Sequence, residues 1–265
     1  MDIAGYIASV FIGISLGLIG GGGSILTVPV LVYLFGIDPV LATAYSLFIV
    51  GSTSLVGAFT KYRQGLINFK TAFIFAIPAV VTVFVTRKFL VPLIPQNVFS
   101  VAHITVTKSI LLMVIFALLM VFASISMIRG NGKEITKNEG VLKFNYPMIF
   151  LQGAFVGFIT GLVGAGGGFL IIPALVIFSK LPMKKAIGTS LLIITINSLI
   201  GFLSSLSHHT MDWKLLITVT TLAIAGIVAG NWLSRKVSGE KLKKAFGWFV
   251  LIMGMYIIIK ELFLN

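Results

Sequence analysis

The sequence predicts an all-α integral membrane protein of about ten helical segments in two inverted-topology repeats. Of its 265 residues, 58% are hydrophobic and 10% are charged, and the mean hydropathy is +1.10. A soluble globule needs far more polar surface than this composition supplies, so lipid must surround most of the chain. Apolar stretches of about 20 residues recur along the sequence, the length that a helix needs to cross a bilayer.

Glycine runs, prolines and polar clusters separate the apolar segments and set their order. We predict helices over residues 3–19, 24–36, 40–60, 70–90, 104–128, 147–163, 168–180, 184–206, 213–234 and 242–263. A long polar stretch follows the fifth segment and indicates a linker between two halves. The chain then divides into a first membrane repeat (1–128), a cytoplasmic linker (129–146) and a second membrane repeat (147–265).

An internal repeat indicates that the two halves are related. GLIGGGGSILTVP at residues 17–29 aligns without a gap on GLVGAGGGFLIIP at residues 161–173, with seven of thirteen positions identical. The offset of 144 also brings Ser46 onto Ser190 and Lys70 onto Lys214. One register sustained over this distance favours duplication over two glycine-rich segments of similar composition.

Basic residues predict the orientation in the membrane. If the segments alternate in direction, 15 of the 20 Lys and Arg residues fall on one side. The positive-inside rule places that side in the cytoplasm and both termini outside, as in a multi-pass protein of a prokaryotic plasma membrane. The net charge of +13 then indicates contact with anionic headgroups on the cytoplasmic side, and it requires no nucleic acid.

The second segment of each half is too short to cross the bilayer upright. Residues 24–36 and 168–180 each span about 20 Å as helix, against a hydrocarbon core of about 30 Å. We expect each to form a glycine-tipped re-entrant or broken-helix hairpin with the segment before it, with a tilted full crossing as the alternative. Either arrangement gives each half an odd number of crossings, so the halves are inverted, a plan typical of secondary transporters.

The glycine-rich tips of these hairpins are the first candidate binding site. Glycine leaves backbone amides exposed where a short helix begins, and the helix dipole presents its positive end there. This favours an anion near the midplane, although the same glycines also fit a tight turn with close packing. For the glycines that recur every four residues in 3–19 and 147–163, we favour packing. The candidates are Gly20, Gly21, Gly22, Gly23 and Ser24, and Gly164, Ala165, Gly166, Gly167 and Gly168.

Polar residues on the next helix of each half are the second candidate. Hydroxyl and amide groups can donate hydrogen bonds to an oxyanion without the cost of a buried charge. The alternative is that they join neighbouring helices or bond their own backbone. The candidates are Ser46 in the first half and Thr189, Ser190 and Asn197 in the second.

The acidic residues and histidines argue against catalytic chemistry. All seven acids and all three histidines fall at predicted loops or helix ends, and the chain has no cysteine. They assemble no serine–histidine–acid set and no metal cluster at membrane depth. We therefore predict no enzyme, no catalytic residue, no metal site and no cofactor. They supply no buried proton relay either, so the coupling ion, like the oligomeric state, stays open.

The repeated strings resemble the signature of a known family. GLIGGGGSILTVP and GLVGAGGGFLIIP are followed by ATAYSL at Ala42 and AIGTSL at Ala186. This pattern is similar to the duplicated motif of the sulfite exporter TauE/SafE family, also called the toluenesulfonate uptake permease family. The resemblance covers almost the whole chain. It implies a transporter of sulfite, an organosulfonate or another sulfur-containing anion.

Taken together, these features predict a membrane transporter with a small anionic substrate. Transport by alternating access would take place around a midplane site between the two glycine-rich helix N-termini. A passive anion channel or facilitator is one alternative, and a membrane assembly protein that carries no substrate is another.

Overall fold

The computed structural model describes residues 2–101, 104–129, 146–163, 167–177, 181–206, 211–234 and 239–263. They form ten helices, each of which confirms a predicted segment within a few residues. The helices are α1 (Asp2–Ile19), α2 (Ser24–Tyr33), α3 (Pro39–Arg63), α4 (Phe69–Leu93), α5 (Lys108–Arg129), α6 (Tyr146–Val163), α7 (Gly168–Ile177), α8 (Met183–Ser205), α9 (Trp213–Leu233) and α10 (Gly239–Phe263). The predicted linker lies outside the described residues, apart from Arg129 and Tyr146 at its ends.

The connection between α4 and α5 differs from the prediction. A helix over 104–128 is wrong in its first turn, because Ile104–Thr107 forms strand β2, which pairs antiparallel with β1 (Asn97–Val101). All four residues of β2 are β-branched, and such side chains favour a strand over a helix. The backbone N–H of Lys108 donates to Gln96 O (2.9 Å) and closes the hairpin where α5 begins.

The short helix α2 ends earlier than predicted. It stops at Tyr33 rather than at residue 36. Gly36 takes a positive φ of 69°, a conformation that interrupts a helix and that glycine adopts without strain. The N–H of Ile37 then donates to Leu31 O (3.1 Å), which turns the chain towards α3.

Four helices, α3, α4, α8 and α9, are long and apolar enough to cross a membrane by length and composition. The helix α4 exposes Phe73, Ile77 and Val81 at four-residue spacing, which forms an apolar stripe on one face. Helices α3 and α8 are the more buried pair and form the centre of the molecule. The exposed stripes and the apolar spans are those of a multi-pass membrane protein.

Contacts between helices are matched in the two halves. Helix α1 packs on α9 while α6 packs on α4, and α3 packs on α9 while α8 packs on α4. Helix α3 also packs on α8, and α5 packs on α10. Each helix of the first half has a counterpart of the same order in the second half, which for α1 to α4 lies about 144 residues away. Replacing every helix by its counterpart exchanges the members of these pairs and creates no new pair. The duplication in the sequence is therefore also a duplication of packing.

The four-spaced glycines lie at these matched interfaces, which confirms the packing interpretation. A Cβ on Gly13 would lie 1.9 Å from Ala223 O, and a Cβ on Gly157 would lie 2.3 Å from Ala79 O. Both members of the second pair are 144 residues from those of the first. Glycine is required because the backbones of the two helices are in direct contact. The same holds for Gly17 and Gly153, whereas a Cβ on Gly161 would first meet the side chain of Thr86, at 2.7 Å.

Candidate functional site

The first glycine segment, residues 20–24, breaks the chain between α1 and α2. Gly20 takes a positive φ of 79°, and Gly21–Gly23 forms a single 3₁₀ turn. The N–H of Gly20 still donates to Leu16 O (2.8 Å), which ends α1. Ser24 donates its hydroxyl proton to Gly21 O (2.7 Å), so this candidate side chain closes the turn rather than offering a free donor.

The two glycine segments touch each other, as the sequence predicted. A Cβ on Gly21 would lie 2.1 Å from Gly168 O, and a Cβ on Gly168 would lie 2.3 Å from the Cα of Gly21. We call this the tip contact. Gly167, at φ 66°, lies beside the Thr160 hydroxyl. The other candidates of the second segment, Gly164, Ala165 and Gly166, lie outside the described residues.

Two backbones fill the space between Gly21 and Gly168, so there is no room for a ligand between these two residues. Gly20 directly precedes the tip contact, and its neighbours are the groups that lie next to that contact. A Cβ on Gly20 would lie 3.1 Å from both Ser190 Oγ and Ile187 Cγ2. The Ser190 hydroxyl donates to Ile187 O (2.9 Å) within α8. The structure thus brings Ser190 to the first glycine segment, with its proton directed to its own helix and its oxygen beside Gly20.

Thr189 has a different role from its neighbour. Its Oγ1 accepts a hydrogen bond from the backbone N–H of Asn68 (3.0 Å), just before α4 begins. In the other half the Tyr45 hydroxyl accepts from the N–H of Asp212 (2.6 Å), just before α9. Tyr45 and Thr189 are 144 residues apart, as are Asn68 and Asp212. Thr189 therefore anchors the start of a helix.

A set of buried polar side chains lies on α3 and α8, the two central helices. We call it the central polar set: Ser46, Thr53 and Ser54 on α3, and Asn197 and Ser198 on α8. All five side chains are fully buried. Their hydroxyl and amide atoms have no hydrogen-bond partner within the described part of the chain. Thr27, one turn into α2, is buried and unpartnered in the same way.

Seven-residue spacing aligns these groups along the helices. Ser46 and Thr53 are two turns apart on one face of α3, and Ser190 and Asn197 are two turns apart on one face of α8. The two helices pack against each other at Gly51, where a Cβ would meet Leu199 Cδ2 at 2.9 Å. Of the predicted polar candidates, Ser46 and Asn197 therefore belong to the central polar set.

Sequence reasoning had not selected Thr27, Thr53, Ser54 or Ser198 as site residues. For the last three a signal was present, since the offset of 144 pairs Thr53 with Asn197 and Ser54 with Ser198. For Thr27 there was none, because its counterpart is the apolar Ile171.

The buried charges are mainly positive. Among the described residues the buried charged side chains are Lys61, Arg87, Lys108 and Glu261. Glu261 accepts a hydrogen bond from the Tyr33 hydroxyl (2.9 Å) near the end of α10. The described residues contain no group of three or more His, Cys, Asp or Glu side chains that could hold a metal ion. The buried cations donate to Ser234, Ser205 and Val91, none of which belongs to the neutral central polar set.

The chain matches known proteins over nearly its full length. The family model described as sulfite exporter TauE/SafE matches residues 6–257. A "Probable membrane transporter protein" of Xylella fastidiosa is 30% identical over 255 residues, covering 93% of this chain and 91% of that protein. Relatives of the same description from Methanocaldococcus jannaschii and Bacillus subtilis are 28% and 25% identical, with 96% and 93% of this chain covered and 94% and 93% of theirs. The chain therefore belongs to the sulfite exporter TauE/SafE family and is a multi-pass transmembrane transporter, not an enzyme.

Proposed function

We propose that this transporter carries a small anion of the sulfite or organosulfonate class around a site beside the tip contact. The observation that carries the proposal is the central polar set. A buried polar group without a partner costs about 1–3 kcal/mol, and several of them lie together on α3 and α8. A ligand that accepts hydrogen bonds from these groups would supply the missing partners.

The chemistry of these groups favours an anion over a cation. The hydroxyls of Ser46, Thr53 and Ser198 and the side-chain amide of Asn197 can all donate to an oxyanion. The helices α2 and α7 begin at the glycine segments and direct the positive ends of their dipoles towards the same region. The family description names sulfite. Sulfite and sulfonates present several acceptor oxygens in a small volume, which suits several neutral donors on two adjacent helices.

The matched packing supports two inverted halves and transport by alternating access. Contacts that exchange on a shift of 144 residues indicate a pseudo-two-fold relation between residues 1–128 and 147–265. With an odd number of crossings in each half, that axis lies in the membrane plane. Both termini are then outside, and residues 129–146 form a cytoplasmic linker close to anionic headgroups. Rocking of one half against the other would open a midplane site to each side in turn.

Transport by the purified protein in liposomes tests the proposal. Liposomes containing the protein are mixed with radiolabelled sulfite, taurine, acetate or chloride, with and without a proton or sodium gradient. We expect one sulfur anion to be taken up faster than acetate and chloride, and to accumulate above its external concentration when one gradient is present. Flux that only follows the anion gradient identifies a passive facilitator, and absence of anion flux contradicts the proposal.

A matched pair of serine variants tests the location of the site. Ser46→Ala removes an unpartnered hydroxyl, whereas Ser9→Ala removes a hydroxyl that donates to Gly5 O within α1 (2.8 Å). Both serines are fully buried. A hydrogen bond to a charged group contributes about 1.5–3 kcal/mol, so Ser46→Ala is expected to raise KM by roughly 10- to 100-fold. Equal KM values for the two variants would place the substrate elsewhere.

A further inference from the structure

Arg87 is a buried cation in an unusual turn of α4. The residues Thr86–Leu90 form a π-helical turn, and Arg87 is 4% exposed. Pro92, two residues after this turn, lacks a backbone N–H and crowds the carbonyl of Lys88, so regular helical bonding is interrupted here. Turns of this type are frequent at functional sites, and an ionisable side chain within a membrane span also points to function.

The guanidinium of Arg87 is incompletely paired. Its Nη1 lies 3.5 Å from Ser205 Oγ on α8, at the limit of a hydrogen bond. Its Nε and Nη2 have no hydrogen-bond partner within the described residues. Ser205 donates its own proton to Gly201 O (3.2 Å), so its oxygen is free to accept from Arg87. A buried charge with two open donors is costly unless an acceptor of negative charge binds there.

The surroundings add positive charge. Lys108, at the start of α5, is 8% exposed and donates to Val91 O. It interacts electrostatically with both Arg87 and Asp38. The carboxylate of Asp38 accepts from the N–H groups of Val40 and Leu41 and caps α3. The acid near this cluster is therefore engaged by the backbone, whereas Nε and Nη2 of Arg87 stay open.

The equivalent position in the duplicated fold contains a related arrangement, with the charge on the opposite partner. Arg87 and Ser205 correspond, at the offset of 144, to Asn231 and Lys61. Lys61 is buried and donates to Ser234 Oγ (3.3 Å), and Ser234 donates in turn to Asn231 O (2.8 Å). The cation Arg87 is therefore matched by the neutral Asn231, and the cation Lys61 by the neutral Ser205. Each of the two equivalent places thus has one cation at its matched positions.

We propose that Arg87 and Ser205 form a second anion site at the outer end of the transport route. Ser205 lies two helical turns, about 10 Å, from Ser198 of the central polar set on the same face of α8. The paired Nε and Nη2 donors of a guanidinium match two adjacent oxygens of a sulfonate, sulfite or carboxylate. The outer position rests on the function proposed above, whereas the binding of an oxyanion by Arg87 does not.

Sided transport measurements test the role of Arg87. Lys88→Gln is the matched control, because Lys88 is exposed, lies in the same π turn and contacts the rings of Phe84 and Phe89. With sulfite supplied from the outer side, we expect Arg87→Gln to raise KM by about 30-fold while kcat changes by less than about threefold. Arg87→Lys should recover part of the loss, and Lys88→Gln should match the wild type. Equal KM values for Arg87→Gln and Lys88→Gln, or a fall in kcat alone, would overturn the proposal.

A binding measurement separates this inference from the proposed function. The Ser46→Ala/Asn197→Leu double variant removes two of the five members of the central polar set and weakens binding there, so stabilisation by sulfite in thermal unfolding reports mainly the second site. We expect that stabilisation to persist in the double variant and to disappear when Arg87→Met is added, a change that keeps the volume but removes the charge. If the wild type moves no anion but this pattern holds, the proposed function fails and the second site stands. If sulfite stabilises the protein equally with and without Arg87→Met, the second site is wrong even where transport is observed.

Discussion

Asn68 and Asp212 can be compared directly, because they lie 144 residues apart and cap α4 and α9 in the same way. The side chain of Asn68 accepts from Thr71 N and that of Asp212 from Leu215 N, both at 3.1 Å. Each residue also donates its own N–H to the partner half, to Thr189 Oγ1 in one case and to the Tyr45 hydroxyl in the other. The same contacts form although both matched pairs of side chains differ, Asn68 from Asp212 and Tyr45 from Thr189.

The two halves differ more strongly where polar groups are buried. Thr53 in α3 corresponds to Asn197 in α8, and Lys61 corresponds to Ser205. By contrast, Gly13 and Gly157, where helix backbones touch, are glycine in both halves because the helices are too close for a side chain. The buried serines Ser54 and Ser198 are also identical, so the halves differ at some of their buried polar positions and not at all of them. The two halves therefore share their packing and differ in part of their buried polar chemistry.

The largest effect on stability is expected at the glycines where helix backbones touch in both halves. Gly13→Leu places a side chain where even a Cβ lies 1.9 Å from Ala223 O, and Gly157→Leu does the same against Ala79 O at 2.3 Å. Both helices must separate, so we expect a loss of more than about 3 kcal/mol of stability and almost no folded protein. Size-exclusion chromatography in detergent measures the yield.

A leucine on the exposed side of the same helix provides the control for the glycine variants. Ala4 lies on α1 and is exposed. Ala4→Leu should give wild-type yield. If only one of Gly13→Leu and Gly157→Leu lost its fold, the two halves would not be equivalent in packing, and the first part of the comparison would be wrong.

A smaller effect on stability, of opposite sign, is expected in the central polar set. Asn197→Leu replaces an unpartnered buried amide with an apolar side chain of similar size, so the ligand-free protein should gain about 1–3 kcal/mol of stability. Anion uptake should fall at least tenfold at a fixed low concentration, because an oxyanion donor is lost. Thermal unfolding and liposome uptake measure the two changes.

Thr195→Val is the matched control for Asn197→Leu. Thr195 is buried on the same helix, and its hydroxyl donates to Leu191 O (2.8 Å). This variant should gain no stability and keep its uptake. Destabilisation by Asn197→Leu would show that the amide joins helices in the protein. Asn197 would then no longer belong to the central polar set.

Much of the fold was predictable because its causes are local or repetitive. Apolar segments and glycine runs located all ten helices, and the offset of 144 anticipated the matched contacts. The strand Ile104–Thr107 was missed, since a β-branched run beside a long apolar segment also fits a membrane helix. Ser46 and Asn197 were predicted as site residues from their matched positions. Thr189 looked the same in sequence, and only the fold brings the N–H of Asn68 to its oxygen.

The smallest effect on stability is expected at the Thr189 contact. Variants there test whether Thr189 supports the fold or binds the substrate. Thr189→Val removes the acceptor for Asn68 N–H, and Tyr45→Phe removes the acceptor for Asp212 N–H. Each should cost about 1 kcal/mol in thermal or denaturant unfolding, because both amides lie where water can partly replace the lost partner. Neither change should move KM for the transported anion by more than about twofold. A large rise in KM for Thr189→Val, with no change for Tyr45→Phe, would show that Thr189 binds the substrate. The two halves would then differ in the function of this contact.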